Sequence, residues 1–266
     1  MNDYKKDEIR QSVRSRYKKI AIRGLDSENC CSPTSGCCGT PNDYKEISTK
    51  LGYSDDELSA VPEGANLGLG CGNPQSIAEL NPGEVVLDLG SGGGFDCLLA
   101  ARQVTESGRV IGVDMTPEMI SKSRSNASKV GVTNAEFRLG EIEHLPVADN
   151  SVDVIISNCV INLSPDKPQV FREACRVLKS GGRLAIMDIV TTTELPEKIK
   201  KNLNAYTGCV SGASSIKETE LMLKQSGFTQ ICIEPKDESR EFIRDWIPGT
   251  NIEDYIVSAV IKAIKP

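Results

Sequence analysis

The sequence predicts an α/β fold: a doubly wound parallel sheet with helices on both faces, followed by a smaller α+β C-terminal region. Short apolar runs alternate with helix-length segments between residues 84 and 190, which is the order that right-handed β-α-β units produce. A run of glycines directly follows the first apolar segment, as at the strand-to-helix turns of ligand-binding parallel sheets. After residue 190 the regular alternation stops, so a second, smaller region is expected there.

The N-terminal part is predicted to contain helices and one loop. Residues 4–22 carry apolar side chains at helical spacing, which indicates an amphipathic helix. Residues 26–42 are rich in Cys, Ser, Gly and Pro and predict a loop, and residues 43–60 predict a short helical stretch. We therefore expect a helical and Cys-rich segment at 1–65, a core at 66–190 and an α+β region at 191–266.

The core is predicted from apolar runs of strand length. We expect its strands at 84–89, 109–114, 135–139, 151–157 and 183–188. Helices are expected between them, with Pro117 at a first helical position and a Gly181-Gly182 turn before the fifth strand. The fourth run is almost wholly apolar, as buried parallel strands are. Beyond the core we expect helices at 194–206 and 219–226 and strands at 229–234 and 255–265.

Composition argues against several classes of function. The chain has 266 residues, 39% of them hydrophobic, with a net charge of −6 and a pI near 5.1. Because basic residues do not cluster on one face, no nucleic-acid partner is expected. No apolar stretch approaches the ~20 residues that span a bilayer, and the polar N-terminus lacks an apolar signal core. We expect a cytoplasmic protein with reduced thiols, no membrane partner and, since no apolar stripe is left over, a monomer.

Ten cysteines are the unusual feature of this composition. Thiolates bind soft metal or metalloid ions, or they take part in redox reactions. Three cysteines lie in glycine-flanked loops or just past a strand, where a site at the carboxyl edge of the sheet would gather them; they are Cys71, Cys159 and Cys209. Three others stand among apolar residues and are expected to be buried packing residues; they are Cys97, Cys175 and Cys232. The N-terminal loop holds Cys30, Cys31, Cys37 and Cys38.

The glycine run predicts a binding site for a nucleoside-containing cofactor. It reads Asp88-Leu-Gly-Ser-Gly-Gly-Gly94, and an acid, Asp114, ends the next strand, where it can accept hydrogen bonds from a ribose diol. The spacing is G-x-G-x-G and differs from the G-x-G-x-x-G of dinucleotide enzymes. Met115 can pack on adenine or on the core, and Asn158 can line the cofactor or orient the backbone.

These segments resemble class I S-adenosylmethionine-dependent methyltransferases. The resemblance extends to Gly140-Glu-Ile-Glu143 after the third strand and to Arg176–Leu184 before the fifth. It implies a Rossmann-like sheet at 66–190 that binds S-adenosylmethionine, with an acid such as Asp88 near the cationic amino-acid end. The cofactor residues that it implies are Asp88, Gly90, Ser91, Gly92, Gly94, Asp114, Met115, Glu141, Ile142 and Asn158.

Three further segments closely resemble the arsenite methyltransferase family. They are Asn66-Leu-Gly-Leu-Gly-Cys-Gly-Asn-Pro74, Ser157-Asn-Cys-Val-Ile-Asn-Leu163 and Gly208-Cys-Val-Ser-Gly-Ala213. The resemblance implies that Cys71, Cys159 and Cys209 bind As(III) and that residues 191–266 belong to the arsenic-binding part. It also implies that one of Cys30, Cys31, Cys37 and Cys38 takes part in disulfide exchange, and among these we favour the Cys37 and Cys38 pair. Arsenite or its thiol conjugates are the implied substrates, with a thioredoxin-type or glutathione-like thiol reductant.

Two other functions fit parts of the sequence. A methyltransferase of a carbon or oxygen acceptor on a small organic or lipid molecule would want an aromatic-rich pocket, but aromatic content is 5% with one tryptophan. A metal-binding sensor could hold Zn²⁺ at Cys30-Cys31-x5-Cys37-Cys38, although adjacent cysteines fit one tetrahedron poorly and the usual C-x2-C spacing is absent. The single histidine, His144, lies in a surface-like turn, so a hydrolase triad is not expected.

Overall fold

One eight-stranded sheet forms the centre of the protein. The structure is a computed structural model that describes residues 3–23, 41–247 and 249–266. The strands are β1 (Val85–Leu89), β2 (Arg109–Asp114), β3 (Ala135–Leu139), β4 (Val152–Asn158), β5 (Leu178–Thr191), β6 (Ser214–Ser215), β7 (Thr229–Lys236) and β8 (Ile256–Ile264). Their order across the sheet is β3-β2-β1-β4-β5-β8-β7, and the short β6 pairs with β5.

Helices connect the strands and cover both faces of the sheet. They are α1 (Asp3–Arg23), α2 (Pro41–Lys50), α3 (Asp55–Ser59), α4 (Gln75–Ala78), α5 (Phe95–Gln103), α6 (Pro117–Lys129), α7 (Lys167–Val177), α8 (Glu197–Lys200), α9 (Leu203–Thr207), α10 (Ile216–Gln225) and α11 (Arg240–Ile243). Short 3-10 helices lie at Ile161–Leu163, Asp237–Ser239 and Ile252–Asp254. Within the described ranges, no helix combines the length and apolar character that a membrane span requires.

The strand order creates a crevice beside the first strand. Strand β1 pairs in parallel with β2 on one side and with β4 on the other, so the chain proceeds outward through β3 and then crosses back. In open parallel sheets, ligands bind at this reversal, beyond the carboxyl ends of the strands. The last two strands extend the sheet in antiparallel fashion, β8 on β5 and β7 on β8. The predicted α/β class, with helices on both faces, is confirmed.

Alternate residues of the central strands build two cores. Val86 packs with α5 and α6 on one face of the sheet, while its neighbour Leu87 packs with α7 on the other. Both side chains are fully buried, as expected where successive side chains of a strand point to opposite faces and both faces are covered. These two layers exclude water from the sheet and leave its carboxyl edge as the open side.

Helix α1 lies beside that edge and is anchored to the loops there. Its fully buried Val13 packs in a third apolar cluster, together with Cys71 and Cys159. Lys6 forms an ion pair with Asp166 at 2.6 Å. Because single ion pairs of partly exposed groups contribute little stability, burial of the apolar face contributes most to holding the helix.

Two predicted elements differ from the observed ones. The Gly181-Gly182 turn lies inside β5, where the pairing register shifts between Val152 and Val154. The helix predicted at 194–206 is divided into α8 and α9, because the side chain of Asn202 accepts hydrogen bonds from two backbone amides of α9 and begins a new helix there. Most of the predicted loop at 26–42 falls outside the described residues.

Replacing a central strand residue tests the sheet. The Ile155→Ala variant should lower the free energy of unfolding by about 2–5 kcal/mol, since Ile155 is fully buried and the variant leaves a cavity. Denaturation in urea measures the change. Leu139→Ala is the control, because Leu139 lies on an edge strand and is 54% exposed, so its effect should stay within about 0.5 kcal/mol. Equal losses in both variants would contradict the packing described here.

Candidate functional site

A large cavity opens at the carboxyl edge of the sheet, beside the crevice between β1 and β4. Its volume is about 820 Å³, within the range of small-molecule sites. Tyr17 of α1 and Trp246 near the end of the chain form parts of its wall. Eight of the ten predicted cofactor residues line it: Asp88, Gly90, Ser91, Gly92, Asp114, Met115, Ile142 and Asn158.

The glycine turn and Asp114 form one hydrogen-bonded unit. The Asp114 carboxylate accepts the backbone N–H of Gly92 at 3.0 Å and that of Thr116 at 2.8 Å. Gly90 has a φ of +74°, and a Cβ added there would lie 2.5 Å from the Val160 side chain, so only glycine fits. Burial raises the pKa of Asp114. The Asp114 carboxylate and the glycine backbone, which has no side chain in the way of a ligand, therefore line the same wall of the cavity.

Two further carboxyl groups lie close together at the floor of the cavity. Asp88 accepts a hydrogen bond from the thiol of Cys97 at 3.2 Å, and Asp96 lines the cavity near it. Burial raises the pKa of Asp88 well above its usual value, and the neighbouring Asp96 raises it further. Burial also raises the pKa of Asp96 to about 6. Buried carboxylates without a cationic partner are costly, so this floor is suited to a cationic group.

The three predicted loop cysteines come together around Cys159, and two of them, Cys159 and Cys209, line the cavity. Sulfur atoms of Cys71 and Cys159 and a carboxylate oxygen of Asp188 all lie within 4.8 Å of one another, and all three residues are buried. The Cys209 thiol donates to the carbonyl of Cys159 at 2.7 Å. Hydrogen bonding with Cys209 and with Cys71, followed by burial, raises the pKa of Cys159 well above its usual value. We call Cys71, Cys159 and Cys209 the thiol cluster.

Two members of the thiol cluster have a strained backbone. The φ angles of Cys159 and Cys209 are +58° and +64°, a region that residues other than glycine seldom occupy. Such conformations cost on the order of 1–3 kcal/mol each and concentrate at functional sites. Here they direct the two thiols toward each other at the end of β4.

Cys71 is held at both of its backbone groups. The Asn158 side-chain oxygen accepts the N–H of Cys71 at 2.9 Å, and the Ser258 hydroxyl of β8 donates to its carbonyl at 2.6 Å. The amide nitrogen of Asn158 also donates to the carbonyl of Gly72 at 2.8 Å. Asn158 therefore sets the distance between the Cys71 loop and Cys159, the next residue of the chain.

Tyr53 connects the carboxylate floor to the thiol cluster. Its hydroxyl donates to Asp96 at 2.8 Å and accepts the amide of Asn158 at 3.1 Å. Its ring packs against Phe95, with centroids 4.8 Å apart. Burial and the neighbouring Asp96 raise the pKa of Tyr53 well above its usual value, so the phenol stays neutral. One continuous hydrogen-bonded chain thus runs from Asp96 to the backbone of Cys71.

The loop that carries Cys209 is anchored from two sides. Lys167, at the start of α7, donates to the hydroxyl of Ser214 at 2.7 Å and to the carbonyl of Gly212. Arg16 of α1 donates to the hydroxyl of Thr207 at 2.9 Å. The Cys209 thiol is thereby placed by contacts from elements that are distant in the chain.

Comparison with known proteins agrees with this arrangement. A methyltransferase-domain family matches residues 80–231. An arsenite methyltransferase of Halobacterium salinarum is 52% identical over 98% of this chain and 67% of its own length. The chain belongs to the arsenite methyltransferase family.

Other relatives in this family differ in length. The human arsenite methyltransferase is 35% identical over 83% of this chain, which spans 58% of that protein. An arsenic (III) S-adenosylmethionine methyltransferase from Chlamydomonas reinhardtii, known from a crystal structure, is 30% identical with a TM-score of 0.61, over 83% of this chain and 73% of that one. The chain thus spans about two-thirds or less of the curated family members named here.

The structure places the remaining predicted residues elsewhere. Glu141 forms ion pairs with Arg10 and Arg14 of α1, and its neighbour Glu143 lines the cavity instead. Gly94 is the N-cap residue of α5, and a Cβ added there would lie 3.2 Å from the Phe137 ring, so a glycine allows close packing at this position. Both residues lie next to the cavity wall and not in it.

The other cysteines divide into three groups. Cys97 is fully buried, as predicted. Cys175 is half-buried and Cys232 is exposed, so the prediction of a buried Cys232 is wrong, because its strand β7 lies at the edge of the sheet. The N-terminal cysteines Cys30, Cys31, Cys37 and Cys38, on which the disulfide-exchange and zinc-site predictions rest, lie outside the described residues.

Several residues of the site carry no signal in the sequence. Tyr53, Lys167, Asp188 and Ser258 reach the thiol cluster or its loops through long-range contacts. Asp96 is the exception: an acid in the first turn after a glycine loop could have been proposed as part of the site.

Removal of one hydroxyl tests the hydrogen-bonded chain. In the Tyr53→Phe variant the ring remains, but Asp96 loses a donor and Asn158 loses an acceptor, both in buried surroundings. We expect the free energy of unfolding to fall by about 1–3 kcal/mol. Tyr4→Phe is the matched control, since Tyr4 is 73% exposed, and it should have almost no effect. Chemical denaturation measures both variants. An unchanged free energy of unfolding in Tyr53→Phe would show that this hydrogen-bonded chain of side chains is dispensable for stability.

Proposed function

We propose that the protein transfers methyl groups from S-adenosylmethionine to trivalent arsenic bound by Cys71, Cys159 and Cys209. The observation that carries the proposal is the clustering of these three thiols beside the cavity: Cys159 and Cys209 line it together with the glycine turn, and Cys71 lies next to Cys159. Relatives named for arsenite methylation support the same substrate. In this proposal residues 66–190 bind the donor and residues 191–266 supply Cys209.

The residues of the cavity fit the proposed donor. Asp114 would accept hydrogen bonds from the ribose hydroxyls, and Gly90 and Gly92 allow the ligand to approach the backbone. Asp88 and Asp96 would face the cationic amino-acid end, which offsets the cost of their burial. When bound, S-adenosylmethionine supplies a methyl group on a positively charged sulfur. The protein would position that group and exclude water from it.

The thiol cluster would bind arsenite by exchanging oxygen for sulfur. Three As–O bonds break and three As–S bonds form, and each thiol hydrogen leaves with a hydroxyl as water. Raised thiol pKa values, as for Cys159 and Cys209, are therefore compatible with binding. Trivalent arsenic keeps a lone pair, which would attack the methyl carbon without a base. Positioning, rather than acid-base catalysis, would provide the rate enhancement.

Methyl transfer formally oxidises arsenic from As(III) to As(V), so two electrons are needed to return it to the trivalent state. We propose that two cysteine thiols supply these electrons by forming a disulfide, and that Cys37 and Cys38 take part. A thioredoxin-type or glutathione-like thiol would then reduce the disulfide by exchange. Such a cycle needs a reducing environment, so we propose a cytoplasmic enzyme that acts as a monomer.

Serine variants test the role of the thiol cluster. Cys159→Ser and Cys209→Ser should each lower arsenite methylation by at least about a hundredfold, because a hydroxyl is a poor ligand for a soft ion. Product analysis after incubation with arsenite, a thiol reductant and S-adenosylmethionine measures the loss. Cys232→Ser is the control, since Cys232 is exposed on β7, and it should retain full activity. Full activity in both cluster variants would refute the proposal.

The carboxylate floor predicts how donor affinity depends on pH. Since burial raises the pKa of Asp96 to about 6, this group takes up a proton as the pH falls through that value and then no longer attracts a cation. S-adenosylmethionine affinity should therefore drop about tenfold between pH 7 and pH 5. Calorimetric titration measures it.

The matched variant for this measurement is Asp96→Asn. It should bind the donor more weakly at pH 7 and show a flatter pH dependence, because the titrating group is gone. A pH profile in Asp96→Asn as steep as that of the unmodified protein would assign the dependence to another group.

A further inference from the structure

We propose that the thiol cluster, together with Asp188, is also a tetrahedral site for a divalent d10 cation, Zn²⁺ or Cd²⁺, which competes with arsenite. This site differs from the arsenite site in its fourth ligand, a carboxylate oxygen. The inference concerns cation binding and stands whether or not the protein methylates arsenic.

Three of the four donor atoms already lie near the required spacing. Zn²⁺ binds cysteine sulfur at about 2.3 Å and carboxylate oxygen at about 2.0–2.2 Å, so tetrahedral ligand atoms lie about 3.6–3.8 Å apart. The sulfur atoms of Cys71 and Cys159 and the oxygen of Asp188 lie within 4.8 Å of one another. A contraction of about 1.2 Å or less between these atoms would complete the three bonds. Cys209 lies outside this group of three, but its thiol contacts the carbonyl of Cys159, and it would turn toward the cation to provide the third sulfur ligand.

Asp188 is oriented by its neighbours and still has room for a cation. One of its oxygens accepts the backbone N–H of Ile189 and the amide of Asn162, both at 2.8 Å. The other, Oδ2, accepts only the N–H of Ile161, at 2.9 Å, among the hydrogen bonds of the described residues. A carboxylate oxygen has two lone pairs, so Oδ2 can also bind a cation. Hydrogen bonds that orient a ligand in this way strengthen metal sites.

The charge of such a site is partly balanced. Three thiolates and a carboxylate exceed the charge of a divalent cation, and a buried excess of negative charge is unfavourable. Lys167 lies close enough to stabilise the ionised form of Asp188 and to interact with Cys209. Its ammonium group also holds the loop that carries Cys209. One cation of the protein would therefore stabilise the occupied site.

The fourth ligand, Asp188, distinguishes the binding of a divalent cation from the binding of trivalent arsenic. Trivalent arsenic is satisfied by three sulfur ligands and keeps a lone pair, so it has no need of the carboxylate. Zn²⁺ and Cd²⁺ have no such lone pair and complete a tetrahedron. Asp188 should therefore contribute to cation affinity more than to arsenite affinity. A bound cation would occupy the thiols and block arsenite.

Direct titration with Cd²⁺ tests the site. The experiment uses the full chain with Cys30, Cys31, Cys37 and Cys38 replaced by serine, so that the N-terminal cysteines do not compete. We expect one Cd²⁺ per chain, seen through the ultraviolet charge-transfer band of cadmium thiolates and displaced by arsenite. Binding that is absent in this variant, or that persists after a further Cys159→Ser replacement, would overturn the proposal. Because neither methyl donor nor turnover is involved, failure of this site is separate from failure of the proposed methyl transfer.

The ratio of Cd²⁺ affinity to arsenite affinity tests the role of Asp188. Asp188→Asn should reduce the ratio of Cd²⁺ affinity to arsenite affinity about tenfold or more, whereas general damage to the thiol cluster would weaken both ligands. Asp153→Asn is the control, because Asp153 binds Lys179 near the opposite edge of the sheet, and it should leave the ratio unchanged. An unchanged ratio in Asp188→Asn would refute the fourth ligand.

A second measurement covers the case in which Asp188→Asn does not fold. X-ray absorption of the Zn²⁺-loaded chain, with the N-terminal cysteines replaced, counts the sulfur and oxygen ligands directly. Three sulfurs and one oxygen are expected. Four sulfurs, or two or fewer, would overturn the proposed ligand set.

Discussion

The hydrogen bonds of Asn158 are the interaction on which the geometry of the site depends. This one side chain accepts the N–H of Cys71 and donates to the carbonyl of Gly72. Because the next residue is Cys159, the same amide that holds the Cys71 loop also sets how far apart two of the three thiols lie. Its second donor bond, to Tyr53, ties this arrangement to the carboxyl groups on the floor of the cavity. A rigid strand end thereby positions a loop that has no regular structure of its own.

Local sequence signals predicted the elements that carry the site, but not the contacts that complete it. The alternation of apolar runs and the glycine turn were enough to place β1, β4 and Asp114 correctly, because these depend on periodicity and on backbone conformation. Ser258 and Lys167 could not be predicted in this way, since each acts on a loop far away in the chain. The same applies to Glu141. Its position after β3 predicted that it lines the cavity, but its carboxylate instead forms ion pairs with Arg10 and Arg14 of α1. The division of the chain at residues 65 and 190 stays a prediction.

Burial explains why this cavity suits the chemistry proposed for it. Removal from water raises the pKa of Asp88 and Asp96 on the floor, while hydrogen bonding with Cys209 and Cys71, followed by burial, raises that of Cys159 on the wall. The carboxyl groups are thus costly to ionise until a cation arrives, and the thiols of Cys159 and Cys209 rest in their neutral form. A cationic donor and an uncharged arsenic hydroxide meet these two demands separately. The folded protein therefore does not need a pre-formed thiolate, although it needs three thiols in fixed positions.

Helix α1 belongs to the site rather than to the sheet. Its contacts go to loops at the carboxyl edge: Lys6 to Asp166 beyond Cys159, Arg10 to Glu143 after β3, and Arg16 to Thr207 before Cys209. Tyr17 lines the cavity between these anchors, and the nearness of Cys209 and Cys159 contributes to its raised pKa, after burial. Ion pairs of this kind add little stability individually, but together they connect loops that follow different strands. A parallel sheet provides such loops at one edge and no means of holding them together. In this protein the N-terminal helix supplies that connection, so Cys159, Cys209 and the glycine turn border the same cavity.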